Sequence, residues 1–208
     1  MQSLVTKTFS RIHSLIYLLL FALAVTNTQA QADSMTNQEP PVWSMNSTLS
    51  KKLTNKVDGV WFSMRLPNQY DQVELDTTAY EKAGIKVAAF RKESGRSVKS
   101  AITIMSLPAP TTPANNDKEL FEGLVKSLTA RWPDTHSTGV IQGRWDGREA
   151  YRFEFSASEK KEKIKGVVYA VISSKGIFVV STVEPVNPSD GAEAFRTLEQ
   201  AALSCRPK

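Results

Sequence analysis

Few side chains in this 208-residue sequence are of a type and spacing that could do chemistry. Of its two histidines, His13 lies in an apolar N-terminal segment, which leaves His136 for the rest of the chain. A Ser-His-Asp or Cys-His device would have to use His136, with Asp134 two residues before it. Yet no serine sits in a nucleophile-elbow pattern, and no glycine-rich stretch leads from a strand into a helix. A zinc site draws several ligands from histidine and cysteine, and here there is one of each to offer. His136 therefore reads as a loop residue. Cys205, the single cysteine, excludes an internal disulfide and reads as a small buried residue at the end of a helix. Hydrolysis by carboxylates alone stays open, because two acids brought together by folding leave no local trace in a sequence.

No catalytic, metal or cofactor-binding residue is assigned on these grounds, and no cofactor is expected. The residues that could touch a partner or ligand are aromatic: Trp43, Trp61, Trp145 and Tyr151. Trp43 stands alone in a polar stretch, as a residue packed lightly on the domain or as a docking residue for a partner. Trp61, Trp145, Tyr151, Phe153 and Phe155 could line a cleft between sheet and helix for a small apolar or amphipathic ligand. The plainer reading is that they fill the core.

The chain that must position these residues begins with an export signal. Lys7 and Arg11 precede an apolar run of eleven residues, Leu15 to Val25, and Ala30-Gln31-Ala32 offers small residues where a signal peptidase reads. Residues 1–32 are read as a signal peptide cleaved near Ala32, the run being well short of the roughly 20 residues that span a bilayer as a helix. An exported protein, periplasmic or extracellular, is the expectation, with no stable membrane insertion. Lys7 and Arg11 are the only Lys or Arg in that segment, so 26 less 2 leaves 24 basic against 21 acidic residues. So small and interspersed an excess argues against nucleic acid as a partner.

Residues 33–58 are rich in Ser, Thr, Asn, Gln and Pro and read as a flexible linker. From residue 59 the pattern turns periodic. Val60, Phe62, Met64 and Leu66 alternate with polar or aromatic residues up to Pro67, Ile85 to Arg91 gives a second strand, and Val98 to Leu107 a third. After the prolines at 108, 110 and 113, Asn116 and Glu119 form a capping signature for a helix ending near Arg131. Leu120, Phe121, Leu124, Val125 and Leu128 give that helix one apolar face.

Four strands then follow with almost nothing between them. Asp146-Gly147 is a type I′ hairpin signal joining Val140–Trp145 to Glu149–Ser156. Glu159 to Lys163 is a charged, solvated reversal. Gly166 to Ile172 is apolar on both alternations, as in a strand covered on both faces, and Ser174-Lys175-Gly176 turns the chain into Ile177–Val183. Asp190 and Glu193 repeat the capping signature for a last helix, with Ala192, Phe195, Leu198 and Ala202 as its stripe. Links this short between strands require antiparallel pairing. The class is α+β: a largely antiparallel sheet of about seven strands flanked by two main helices.

The opening strand Trp61-Phe62-Ser63-Met64-Arg65-Leu66-Pro67, the hairpin strand Gly147-Arg148-Glu149-Ala150-Tyr151-Arg152-Phe153-Glu154, the turn at Lys175-Gly176 and the closing Leu203-Ser204-Cys205 resemble the PsbP-like superfamily, which includes bacterial periplasmic DcrB-type proteins. The resemblance covers residues 59–208 as one domain. Where relatives continue into a final edge strand, this chain has Ser204-Cys205 and little more, so that strand is expected to be missing. The resemblance implies a non-catalytic binding or assembly module and transfers no functional residue. Three functions are carried forward: an exported accessory protein that binds an envelope protein partner, a carrier of a small apolar or amphipathic ligand, and a carboxylate-dependent hydrolase.

Overall fold

The computed structural model describes residues 39–93, 98–109, 117–186 and 191–208. The signal segment, the Asn116 cap and the Asp190 cap lie outside these residues. Twelve strands stand among the described residues: β1 (Val42–Trp43), β2 (Asn55–Asp58), β3 (Phe62–Leu66), β4 (Tyr70–Gln72), β5 (Lys86–Lys92), β6 (Ser100–Leu107), β7 (His136–Ser137), β8 (Ile141–Trp145), β9 (Arg148–Glu159), β10 (Glu162–Ser173), β11 (Gly176–Pro185) and β12 (Arg206–Pro207). The helices are α1 (Thr78–Lys82), α2 (Asp117–Arg131) and α3 (Gly191–Ser204). The seven strands expected from the sequence are all present, and the two main helices follow the third and seventh of them.

The main sheet runs β1-β8-β9-β10-β11-β6-β5-β4, with β7 also on β9; every pairing is antiparallel except β1 with β8. Its centre is the meander β8 to β11, built by two-residue turns. Asp146 and Gly147 take φ of 55° and 73°, as a type I′ turn demands. Lys160 and Lys161 also take positive φ, 49° and 70°, so the charged reversal is a second tight turn rather than an open loop. Long strands on both sides compensate the cost of placing two lysines there. Residues 167–170 of β10 are buried on both faces, as their unbroken apolar run requires.

Two apolar layers follow, one on each side. Phe121 and Leu124 of α2 pack with Tyr151, Phe153, Phe155, Ile164 and Val168. Leu198, Ala201 and Ala202 of α3 pack with Trp145, Val167, Tyr169, Phe178 and Val180. A small sheet, β12-β3-β2, covers the rest of the α3 side with Phe62, Met64 and Leu66. In α3, Ala192 is exposed and Ala201 is fully buried, a small rotation from the expected stripe.

Three expectations need correction. Residues 39–58, the described part of the linker, belong to the domain: they form β1, a 3-10 turn at Leu49–Lys52 and β2, and Leu53 is fully buried. Their anchors, Trp43, Met45, Leu53 and Val57, are too irregularly spaced to stand out from a polar background. Between Pro67 and Ile85, where no element is expected, stand β4 and α1. The final edge strand is not missing. β12 pairs Arg206 with Ser63 and Pro207 with Phe62, and two residues ending in proline leave no strand pattern to read.

Candidate functional site

Along β8 the residues facing α3 are Ile141, Gly143 and Trp145, opposite Arg152, Ala150 and Arg148 of β9. Gly143 and Ala150 are the smallest residues on this part of the face, and Tyr169 stands beyond them on β10, paired with Arg152. The result is a shallow trough at the outer margin of the sheet, with a phenol ring as its far wall. The arm of residues 40–43 fills it. Arg144 N–H donates to the Pro41 carbonyl at 2.8 Å, β1 runs parallel to β8, and the Trp43 indole meets Tyr169 edge-on with ring centroids 5.7 Å apart.

Gly143 has an ordinary φ, so its backbone would admit any residue. Space is the constraint. A Cβ there would collide with the Pro41 carbonyl oxygen and come within 2.8 Å of the Trp43 ring. Glycine within a strand weakens it and marks a close approach of another backbone; here the approaching backbone is the arm. Asn46 N–H then donates to Gln200 Oε1 of α3 at 2.5 Å, and Asn46 Oδ1 accepts from Thr48 and Leu49 N–H, which fixes the chain as it leaves the trough.

Beneath the trough lies a polar cluster built on the buried Tyr169, its charged members half-buried. Arg152 Nε donates to Tyr169 OH at 2.9 Å, Arg152 Nη2 donates to Glu199 Oε1 at 2.7 Å and pairs with Glu154, and Tyr169 OH donates to the same Glu199 oxygen at 2.7 Å. Burial opposes the charge on Arg152, but the bonds to Glu199, Glu154 and Tyr169 more than offset it, and its pKa is raised. Burial, then the Glu199 carboxylate, pushes the Tyr169 phenol above its usual range. Both carboxylates converge on one guanidinium nitrogen, so they act as counter-charges and do not share a proton as a hydrolytic pair does. The arrangement clamps α3 to the sheet under the trough.

The four aromatic contact residues separate. Trp43, Trp61 and Trp145 gather on the α3 side: Trp145 lies 5.5 Å from Tyr169 and 6.3 Å from Phe178, and Trp61 reaches Phe178 at 6.3 Å. Trp145 is buried, with Nε1 donating to the Leu203 carbonyl at 3.2 Å, whereas Trp43 and Trp61 are half-buried. Tyr151 is buried on the opposite side, stacked on Phe121 at 4.7 Å, near Phe155, which stacks on Trp132 at 5.8 Å. The sheet itself divides these rings, so Trp61, Trp145, Tyr151, Phe153 and Phe155 do not line one cleft.

The remaining candidates for chemistry are isolated. His136 is exposed on β7, and Asp134 Oδ1 accepts from Ser158 N–H at 3.1 Å. Cys205 is fully buried, and burial pushes its thiol up to about 12. Among the described residues no group of three or more His, Cys, Asp or Glu side chains could hold a metal ion, and no helix is long and apolar enough to cross a membrane. In the sequence Gly143 carries only the weak signal of an isolated glycine in a strand pattern. Arg152, Tyr169 and Glu199 carry no local signal at all.

No protein-family model matches the sequence, and no curated protein matches it. In three dimensions the chain is similar to cyanobacterial PsbP (CyanoP) from Synechocystis sp. PCC 6803, with a TM-score of 0.53 and 12% identity, over 74% of this chain and 92% of that one. It is also similar to the Ran-binding protein Mog1p of Saccharomyces cerevisiae, with a TM-score of 0.51 and 12% identity, over 78% of this chain and 96% of that one. The fold is PsbP/Mog1-like, as the sequence motifs suggested.

Proposed function

We propose that this chain is an exported, non-catalytic accessory protein that acts by binding an envelope protein partner. The observation that carries the reading is the margin at β8, where a glycine without conformational need lets an extended segment, here residues 40–43, lie against the sheet edge. Edge strands are templates for pairing with another chain, and here the outermost strand covers only Arg144 and Trp145. Val42, 68% exposed, and Ile141 add apolar surface at the same margin. One structural relative is a Ran-binding protein, which supports a binding role for this fold. The signal-like segment Met1–Ala32 supports export.

The test is site-specific photo-crosslinking in the host's cells, with the reactive group at Val42 or Ile141 and a control at Lys126 on the exposed side of α2. One envelope protein recovered repeatedly from the first two positions and absent from the third is expected. Recovery of nothing specific from any position would refute the reading. N-terminal sequencing of the same material should begin near Asp33 if the segment is cleaved.

A further inference from the structure

β2 and β3 meet in a bend of three residues, Gly59, Val60 and Trp61. Such bends are the ordinary place for Asn, Asp, Gly and Ser; this one carries an aliphatic and an aromatic side chain. Val60 is 94% exposed, the most exposed large apolar residue among those described, and Trp61 beside it is half-buried. The bend is braced in that position. Lys208 N–H donates to the Trp61 carbonyl at 3.1 Å and Lys208 Nζ to the Gly59 carbonyl at 2.8 Å, so the carbonyls on both sides of Val60 are tied. A Cβ on Gly59 would stand 2.8 Å from the Phe62 ring; without one, the bend closes over that ring and leaves Val60 outside.

Basic side chains surround this tip. Trp61 lies 6.3 Å from Phe178 of β11, at the end of the main sheet where the Asp146-Gly147 and Ser174-Lys175 turns stand. Arg148 of β9 shares the face of Ala150, and Lys86 of β5 shares that of Ala88 and Phe90, which is the face the small sheet covers. In the order of strands they stand on either side of β11, with Lys175 in the turn between. All three are exposed and make no ion pair among the described residues. Arg206 and Lys208 are each paired, with Asp146 at 2.9 Å and Asp58 at 2.5 Å. On this face and at this end there are thus five cations and two acids, and five less two leaves +3.

We infer that this end of the molecule docks on a bilayer surface rich in anionic headgroups, Val60 and Trp61 entering the headgroup layer while Lys86, Arg148 and Lys175 lie against the lipid phosphates. A braced apolar tip inside a basic ring meets both demands of such a surface. The acyl boundary takes the apolar side chains and favours Trp, and the negative potential draws the cations. A protein interface has the opposite arrangement, a broader apolar centre depleted of charge. The contact is shallow and reversible, since one aliphatic side chain and one indole enter. The inference adds to the partner-binding reading at β8 and does not depend on it.

The test is flotation of the full chain, as its host processes it, with vesicles of phosphatidylcholine carrying about 30% phosphatidylglycerol, against phosphatidylcholine alone, at about 0.1 M salt. Saturable binding to the anionic vesicles is expected, about tenfold or more stronger than to the neutral ones and weakened by added salt. Lys86→Gln, Arg148→Gln and Lys175→Gln together should lower it roughly a hundredfold, at about fivefold per basic residue near the surface. Lys126→Gln, Lys163→Gln and Lys165→Gln remove the same charge elsewhere and should change it by no more than about twofold. Val60→Asp alters a side chain outside the core and should lower binding about tenfold. Val60→Cys carries a polarity-sensitive dye at residue 60 alone, because Cys205 is fully buried. Its emission should shift to the blue on anionic vesicles, and that of the same dye on Lys165→Cys should not. No binding to anionic vesicles, equal binding to both kinds, equal loss in the two triple variants, or an unshifted dye at residue 60 each overturns the inference. No other protein is present, so the result leaves the reading of the β8 margin to its own cross-linking test.

Discussion

Glu199→Ala tests whether the polar cluster under the trough is the clamp described. Arg152 is 12% exposed, Glu199 17% and Glu154 38%, so the two carboxylates on one guanidinium differ mainly in burial. Removing one partner of a buried pair costs about 3–5 kcal/mol, and removing one of an exposed pair about 0–1 kcal/mol. Glu199→Ala also strips the acceptor from Tyr169 OH, while Glu154 remains to offset part of the Arg152 charge. The expected loss is about 2–4 kcal/mol for Glu199→Ala and under about 1 kcal/mol for Glu154→Ala. For a domain of this size that is a drop in Tm of roughly 5–15 °C against a few degrees at most. Urea unfolding at constant slope is the assay, with a double-mutant cycle against Tyr169→Phe. Because Tyr169 and Arg152 share one oxygen of Glu199, a coupling of about 1 kcal/mol or more is expected. Equal losses for the two glutamates, or additive effects in the cycle, would refute the account.

Stability should fall in alkali. A buried thiol or phenol with a raised folded pKa holds its proton more tightly when folded, so its contribution is complete below the unfolded pKa and lost as pH rises through the folded one. Cys205, pushed up to about 12, should start the decline near pH 9, and Tyr169 and Tyr70, both raised by burial, should steepen it above pH 10; urea midpoints from pH 8 to 11 show it, and Cys205→Ala removes the early part. Gly166→Ala should cost about 3 kcal/mol or more, since its Cβ would strike the Phe155 ring and the Thr182 carbonyl at the centre of the sheet. Gly147→Ala should cost only about 1–2 kcal/mol, from its φ of +73° alone, because nothing lies within 4 Å of the new methyl. Thermal melts of the two variants side by side distinguish collision from backbone strain.

Strands of five residues or more were legible because alternation and turn chemistry reinforce each other: Asp146-Gly147 alone fixed the β8–β9 register. β1, β7 and β12 are two residues long, and no period exists in two residues. Trp43 stands out by its bulk, but its place does not, since what receives it is Gly143, a residue with no side chain to mark it. The bond between Arg152 and Glu199 joins residues 47 apart on a strand and a helix, and each alone looks like an ordinary surface charge. Trp145 and Tyr151 were equally visible as aromatics, yet which side of a sheet a ring faces depends on register, and only one of them shares the face of Trp43.

The small sheet sets a timetable for the chain. Arg65 N–H donates to Ser204 Oγ across 139 residues, and Ser204 Oγ donates back to the Arg65 carbonyl. The apolar face of β3 thus receives its cover from the last helix and β12. At a synthesis rate of about 5–20 residues per second, β3 waits roughly 7–28 s for those residues to be made. Throughout that interval β3 has β2 on one edge, but Phe62, Met64 and Leu66 lack their helix cover, the sort of exposed apolar surface that aggregates or recruits a chaperone. Pairing over so long a separation also slows folding once the chain is complete. A lesion in α3 or at Arg206 should therefore show itself first as poor yield and exposure of the chain's beginning, before any effect on the stability of the finished protein can be measured.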